Sequence, residues 1–413
     1  MSSEKAQRRW LVVLTVIAVY ICFIDRIAIS VAIIPMSAEN GWSPATQGMV
    51  MSSFFVGYLI LQIPAGFLAD KFGGKWVLGI GVLLWSLFTL LTPSAASLGL
   101  TALLICRVLM GMSEAVTWPS IYSIYAVWIP IEARGSAVGW MNSGVAGGSV
   151  IALLLTPLIV EHFDWQMAFY LYGSLGLLWF LVWASSVPAG PPMPPASQEK
   201  PLASVAVGRQ QSLSVSALLS SKGVWAIAVS HICANWVIVL SLSWLPTYFS
   251  SGLGVDLQSV GLMAVVPAAA AMLATPMAGR WCDKLIARGL PRLKVRKAMQ
   301  SMALGTMALC LTVVGYTDAP IVALMLFTIG NMMMALCIGG FATNHMDIAP
   351  EDSGTLMGIT NTLGALSSAV AVFVAGWVLE WTDSWLLVFQ LAAAVAVFGM
   401  LFYLRYASVE REF

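Results

Sequence analysis

Apolar residues come along this chain in long blocks, and the breaks between them are short and rich in charge, Pro or Gly. About 20 consecutive apolar residues carry a helix across a bilayer, so each block predicts a membrane-spanning helix. Twelve blocks are present, near residues 10–34, 47–69, 75–93, 97–128, 135–160, 165–187, 223–250, 257–279, 298–316, 319–345, 354–379 and 384–407. One stretch, 188–221, breaks the rhythm: PAGPPMPP is followed by polar, Ser-rich sequence. Such a segment reads as a linker, semi-rigid at its Pro-rich start. The pattern therefore predicts an all-α membrane protein of twelve transmembrane helices. Residues 1–187 form one six-helix bundle, 188–222 a cytoplasmic linker, and 223–413 a second six-helix bundle.

The two halves repeat. GFLADKFGGK at 66–75 returns as GRWCDKLIARG at 279–289, with Gly66, Asp70 and Lys71 in register with Gly279, Asp283 and Lys284. EARGSAVGWMN at 132–142 returns as EDSGTLMGITN at 351–361, aligning Glu132, Gly135, Gly139 and Asn142 with Glu351, Gly354, Gly358 and Asn361. The shifts are 213 and 219 residues, and each match falls at the same place in its half. That pattern marks a duplication, and pseudo-symmetric six-helix repeats place substrate at the membrane midplane, with rocking motions giving alternating access.

Composition agrees: 59% of the 413 residues are hydrophobic and 9% charged, and mean hydropathy is +0.87. The net charge of +1 excludes nothing by itself, but its distribution sets the topology. With a cytoplasmic N-terminus, eighteen of the twenty Lys and Arg fall on the cytoplasmic side, seven of them between Arg280 and Lys297. The outer breaks carry only acids: Glu39, Glu161, Asp164, Asp256, Asp318, Glu380 and Asp383. The positive-inside rule then expects both termini in the cytoplasm. The first block could pass for a signal peptide, but it has a charge pair where such a peptide is apolar, so it is read as a retained span. Six cysteines lie in or at the ends of spans without a CxxC pair, which argues against disulfides and a metal site. No nucleophile–base pair or nucleotide-binding loop is present, so neither an enzyme nor a cofactor is expected. The expected contacts are the lipid bilayer and a small solute, not nucleic acid, and the chain is expected to be a monomer.

The G-x-L-A-D-x-x-G-G-K loop between the second and third spans resembles the signature loop of the major facilitator superfamily. The resemblance implies that superfamily's fold, with gating or structural roles at a helix end for Gly66, Asp70, Lys71 and Asp283, and for Arg134 near Asp70. A carboxylate there would stabilise a helix N-terminus.

Two basic residues remain, Arg26 and Arg107, both inside spans, as are Asp25 and Glu114. A lone charge at mid-bilayer costs at least about 2.5–3.5 kcal/mol, so these four should face the interior and have partners. Asp25 and Arg26 are consecutive and point about 100° apart, so they cannot simply satisfy each other. Arg107 and Glu114 share a helix face two turns apart, about 10.5 Å by helical rise, a gap that two long side chains can just close. In the superfamily's layout the first and fourth spans line the same cavity, which would gather the four charges into one neutral cluster. A proton on either acid would leave it at net +1 and release an Arg, whose guanidinium suits a carboxylate or phosphate. Proton and anion binding would then favour each other. The competing reading is helix glue, a buried pair that fixes packing. An antiporter of cationic drugs fits poorly with two cavity arginines.

DRIAISVAIIPMSAENGWSPATQGMVMSSFFVGY (25–58), RVLMGMSEAVTWPS (107–120) and NHMDIAPEDSGTLMGITNTLG (344–364) are similar to the anion:cation symporter family. The branch indicated holds sialin, the vesicular glutamate and sodium–phosphate transporters and the plant plastid phosphate transporters, with bacterial sugar-acid permeases more distant. The resemblance implies that Arg26 binds the substrate's anionic group and that Asp25 and Glu114 carry protons, with Arg107 as the partner of Glu114. It places Tyr58 and Asn361 as polar substrate contacts. Asn235 and His231 are weaker candidates, and Asn142 and Asn331 weaker still. His345 and Asp347 read as structural, near the end of their span. Phe23 and Val145 stand where sugar-acid permeases carry Tyr and Gln, which weakens a polyhydroxylated substrate. Ala234 stands where the vesicular glutamate transporters carry Arg, which disfavours glutamate. The expectation is a proton-coupled symporter of an organic anion, such as a sugar acid or another carboxylate, in a bacterial plasma membrane. The alternatives are inorganic phosphate transport with Na⁺ or H⁺ and, remotely, a transporter-like receptor.

Overall fold

The computed structural model of the chain describes residues 2–129, 131–188, 220–349 and 353–411. Within these, the side chains of residues 2–4, 63, 70, 131–136 and 353–355 fall outside the description. Most of the expected linker therefore lies outside the described residues, as do the side chains of Asp70 and Arg134. Among the described residues, twelve helices are long and apolar enough to cross a membrane, in the order the hydropathy pattern predicts. They are, first to twelfth, Lys5–Asn40, Pro44–Gln62, Gly74–Ser97, Leu100–Trp128, Ala137–Phe163, Trp165–Ser186, Lys222–Gly252, Leu257–Ala287, Arg292–Val314, Pro320–Ile348, Leu356–Thr382 and Trp385–Tyr406. Their exposed faces carry large apolar side chains such as Ile60, Leu181, Leu273, Leu309 and Leu401. That is the reverse of a water-soluble surface and fits contact with hydrocarbon.

The duplication is visible in the backbone. The turn before the second span uses Gly41 at φ +63° and the turn before the eighth uses Gly254 at φ +67°. The second-to-third turn uses Gly73 at φ +82°, and the eighth-to-ninth uses Gly289 at φ +88°. Glycine adopts this left-handed conformation without the steric cost of a Cβ. Even the unusual positive-φ aspartates correspond, Asp164 before the sixth span and Asp383 before the twelfth.

The basic stretch 280–297 is not the long loop that the apolar pattern predicts. The eighth helix runs on to Ala287 and the ninth begins at Arg292, so only four residues join them. The charged ends stay helical because the turn is tight and because Arg296 is buried against Asp347, with Nε–Oδ2 at 2.8 Å. Two spans are broken instead. In the fourth, the helix Leu100–Glu114 stops and Thr117–Trp128 resumes. Pro119 there has no N–H to give the carbonyl of Ala115. In the tenth, Pro320–Met334 passes through a 3₁₀ turn at Ala335–Ile338 and a Gly-Gly pair into the short helix Phe341–Ile348.

Two compact units emerge. The first holds Met1–Ala32 and Ser53–Ser212. In it the third span packs on the fourth and the sixth. The indole N–H groups of Trp179 and Trp183 reach the carbonyls of Leu14 and Lys75 at 2.9 and 3.0 Å. The second and fourth spans cross backbone to backbone: a Cβ on Gly57 would run into the carbonyl of Val108, and one on Gly111 into that of Phe54. The second unit holds Ile33–Ser52 and Leu213–Phe413. Its seventh span packs on the eleventh and twelfth, and its ninth on the tenth and twelfth. The hairpin 33–52 belongs here because Glu380 accepts hydrogen bonds from Ser43 Oγ and the Ala45 N–H, while Gly48 and Gly376 allow the second and eleventh spans to touch.

Candidate functional site

In the first unit the four in-span charges come from the first and fourth helices. Asp25 and Glu114 are fully buried and Arg107 nearly so, while the Arg26 side chain keeps 16% of its surface. Arg26 reaches across to Glu114, with Nη2 and Nε donating to the single oxygen Oε2 at 2.8 and 3.1 Å. Cys22, one turn before Arg26, donates its thiol to the same oxygen at 3.2 Å. The other carboxylate oxygen, Oε1, is buried with no hydrogen-bond partner among the described residues. Nη1 of Arg26 makes no hydrogen bond to a described residue either.

Three aromatic rings surround the Arg26 guanidinium: Phe23 at 4.7 Å, Phe54 at 4.8 Å and Tyr58 at 5.1 Å from ring centre to Cζ. Cation–π contacts of a desolvated cation are worth about 2 kcal/mol. They hold the charge in place while leaving its hydrogen-bonding edge free for an acceptor. Phe54 also underlies Arg107, 5.4 Å from its Cζ, so one ring is shared by both arginines.

Arg107 does not pair with Glu114, contrary to the spacing argument. Its Nη1 donates to Met110 Sδ at 3.2 Å, its Nε has no partner, and no carboxylate among the described residues lies within ion-pair distance. The reason is reach. Lying along one helix face cannot compete with a guanidinium arriving from the first span directly opposite the carboxylate. Asp25 is buried without an ion pair among the described residues, and neither of its oxygens has a hydrogen bond of normal length there. The charges that act on it are Glu114 and Arg107 of the fourth span, and the hydrogen-bond donors in its reach are the Thr89 hydroxyl and the Trp85 indole of the third. The first helix thus turns Asp25 and Arg26 to different neighbours, as their adjacency requires.

The second unit holds the remaining candidates. Asn235 is half-buried and gives its amide N–H to the His231 carbonyl one turn back, at 3.2 Å, leaving its oxygen open. Asn361 is half-buried on the eleventh span. Asn331 and, in the first unit, Asn142 also bond a carbonyl of their own helix. Asp347 is bound by Arg296 and by Arg292 at 3.2 Å, which fits a structural role. At the helix ends, Lys71 and Asp283 are exposed, Lys71 with its Nζ 5.3 Å from the Phe72 ring centre, and a Cβ on Gly66 would meet open space. Sequence reasoning missed Cys22, Phe54 and Met110, although each lies three or four residues from an identified partner and so on its face: Cys22 before Arg26, Phe54 before Tyr58, Met110 after Arg107. It also missed Thr360, whose hydroxyl lies against both His231 and His345.

The profile of the Major Facilitator Superfamily matches residues 15–372. The chain belongs to the major facilitator superfamily. Among curated relatives it is 37% identical over 410 residues to the "Probable anion transporter 1, chloroplastic" of Oryza sativa subsp. japonica, covering 98% of this chain and 77% of that protein. It is 37% identical to the "Ascorbate transporter, chloroplastic" of Arabidopsis thaliana, over 99% of this chain and 76% of that one. It is 36% identical to the "Sodium-dependent phosphate transport protein 1, chloroplastic" of the same plant, over 99% and 81%. Solved structures share the fold. A bacterial homologue of the human lysosomal transporter Spinster superposes with a TM-score of 0.80 at 16% identity, over 97% of both chains. A D-xylose–proton symporter superposes at 0.77 and 16%, over 96% and 97%. This major facilitator protein is therefore a multi-pass membrane transporter of the anion:cation symporter type, and not an enzyme.

Proposed function

We propose that the protein is a secondary active transporter that carries a small organic anion together with protons by alternating access. The observation that carries this reading is the Arg26–Glu114 contact inside its aromatic frame, beside a buried acid, Asp25, that no cation pairs among the described residues. Glu114 occupies the two donors that a substrate carboxylate would take in bidentate fashion. A proton on Glu114 removes the charge that holds them and frees Arg26 for the anion. An arriving anion in turn displaces Glu114, leaving a buried carboxylate whose charge is unpaired and which is best relieved by a proton. Each ligand thus favours the other by linkage. Asp25 is a second proton site by the same argument, since a buried charge with no partner is expensive. Tyr58, Asn235 and Asn361 are the polar substrate contacts, and Arg107 contributes positive potential from beneath Phe54. Gly66, Asp70, Lys71, Arg134 and Asp283 serve gating at the helix ends. The sidedness of the basic residues supports cytoplasmic termini. A bacterial inner membrane is the expected location, and fractionation of the native host decides between it and the chloroplast that the relatives' names carry.

A second reading is phosphate transport coupled to sodium, favoured by the name of one relative. Unpartnered oxygens on Asp25 and Glu114 would serve a hard cation as well as a proton. Uptake into proteoliposomes, with proton and sodium gradients imposed separately, tests both. The panel is ascorbate, sugar acids, aromatic acids and phosphate. Accumulation of an organic anion driven by the proton gradient, and abolished in Arg26→Ala, is expected. Uptake indifferent to the proton gradient would refute the coupling, and normal uptake by Arg26→Ala would refute the binding role.

A further inference from the structure

The second unit contains a buried chain of three side chains that the anion site does not use. His231 of the seventh span, Thr360 of the eleventh and His345 of the tenth are 6%, 0% and 2% exposed. The Thr360 hydroxyl lies 3.2 Å from His231 Nδ1 and 2.8 Å from His345 Nε2, and the ring centres are 6.5 Å apart. The tautomers follow from the partners. His345 Nδ1 faces the carbonyl of Ala342 at 3.0 Å, and a carbonyl only accepts, so that nitrogen carries the proton. In a neutral ring Nε2 is then bare, and Thr360 must donate to it. Thr360 has one proton; spent on His345, it is unavailable to the Met357 carbonyl at 3.2 Å, the longer contact. Its oxygen is left to accept, so His231 presents Nδ1–H. His231 Nε2 is a bare acceptor with no hydrogen bond to a described residue.

All three donors therefore point the same way. The geometry points to a proton relay running from His231 Nε2 through Thr360 to His345, separate from the Asp25–Glu114 acids. A proton arriving at His231 Nε2 makes a new N–H bond there. The Nδ1–H proton of His231 passes to the Thr360 oxygen, the Thr360 hydroxyl proton passes to His345 Nε2, and His345 becomes the imidazolium. One positive charge moves between the rings, and His231 is left neutral in its other tautomer. His345 is held in the short helix Phe341–Ile348 after the broken tenth span, so discharge to water requires that helix to move.

The surroundings suit a carrier that titrates without a competing acid. Against His231 pack Phe341, with ring centres 4.8 Å apart, and the bare backbone of Gly364, where a Cβ would lie 3.2 Å from the imidazole and collide with Asn235. The charged or titratable groups on the elements packed nearby are otherwise engaged. Asp347 is bound by Arg296 and Arg292, Tyr403 accepts from Asn344 at 3.0 Å, and Cys233 is buried against Gly399. Glu351 and Asp352 lie outside the described residues.

The inference rests on the proton-coupled reading for its use, and the test separates the two. The chain has only three histidines, so ring ¹⁵N labels on His162, His231 and His345 are readily assigned. Solid-state NMR of the protein in lipid should find His231 and His345 both in the Nδ1–H form at neutral pH. Acidification should shift both rings together, and Thr360→Val should uncouple them. An Nε2–H tautomer at either ring, or titration unchanged in Thr360→Val, overturns the relay whatever drives transport. In proteoliposomes, Thr360→Val should slow proton-driven net uptake by about a hundred-fold, the usual worth of a positioned proton carrier. Anion counterflow, which needs no net proton movement, should stay intact, and Thr360→Ser should restore uptake. Equal loss of both activities in Thr360→Val would mark the hydroxyl as packing and overturn the relay. Wild-type uptake driven by sodium alone would refute the coupling proposal while leaving the NMR result to decide the chain.

Discussion

At the residue scale, the first span places two opposite charges side by side and gives each a different neighbourhood. Arg26 has a carboxylate and three rings; Asp25 has no cation paired with it among the described residues, only the Thr89 hydroxyl and the Trp85 indole within reach. The planar guanidinium matters as much as the charge, because it stacks on Phe23, Phe54 and Tyr58 while keeping two parallel donors on one edge. Arg26→Lys keeps the charge and loses both features. It should raise KM for the transported anion by about ten-fold or more, the worth of a charged hydrogen bond, with folding and membrane insertion unchanged. Uptake with an unaltered KM would show that a point charge suffices. The identity of the four charges was legible in the sequence, because an ionisable residue within an apolar block stands out. Their pairing was not. Helical spacing reports only which residues share a face of one helix, whereas Glu114 chose a partner from another.

At the element scale, small residues decide which helices meet. Gly57 and Gly111 bring the second and fourth spans together so closely that Phe54 and Tyr58 lie against Arg26 and Arg107. Gly57→Ala would press a methyl into the Val108 carbonyl and should cost about 1–3 kcal/mol, the usual penalty of overpacking. The expected readout is a lower melting temperature in detergent together with weakened anion binding, since the aromatic frame shifts with the backbone. Wild-type melting behaviour would mean that the crossing is loose. Span number and order were readable from hydropathy, because length and apolarity alone specify a bilayer crossing. The breaks in the fourth and tenth spans were not, since each lies inside a block long enough to cross as one helix, and Pro119 or a Gly-Gly pair within such a block does not by itself say that the helix stops. The helical ends of the eighth and ninth spans were missed for the opposite reason: charge there masks helix, and a buried Arg296–Asp347 bond keeps it.

For the whole molecule, the central claim is that one contact, Arg26 with Glu114, couples the binding of a proton to the binding of an anion. Duplication supplied two similar units, yet the described ionisable residues that differ between them are informative. The first carries the charged cluster, and the second the uncharged polar chain of His231, Thr360 and His345. Fold and family followed from pattern and motif, but the coupling ion and the anion did not, because both depend on distances between side chains on different helices. The most direct measurement compares Glu114→Gln with wild type in proteoliposomes, reading proton-driven accumulation and anion counterflow on the same preparation. Glutamine keeps the shape and cannot change charge, so accumulation should collapse to equilibration while counterflow continues. Accumulation against a gradient at the wild-type level in Glu114→Gln would contradict the account.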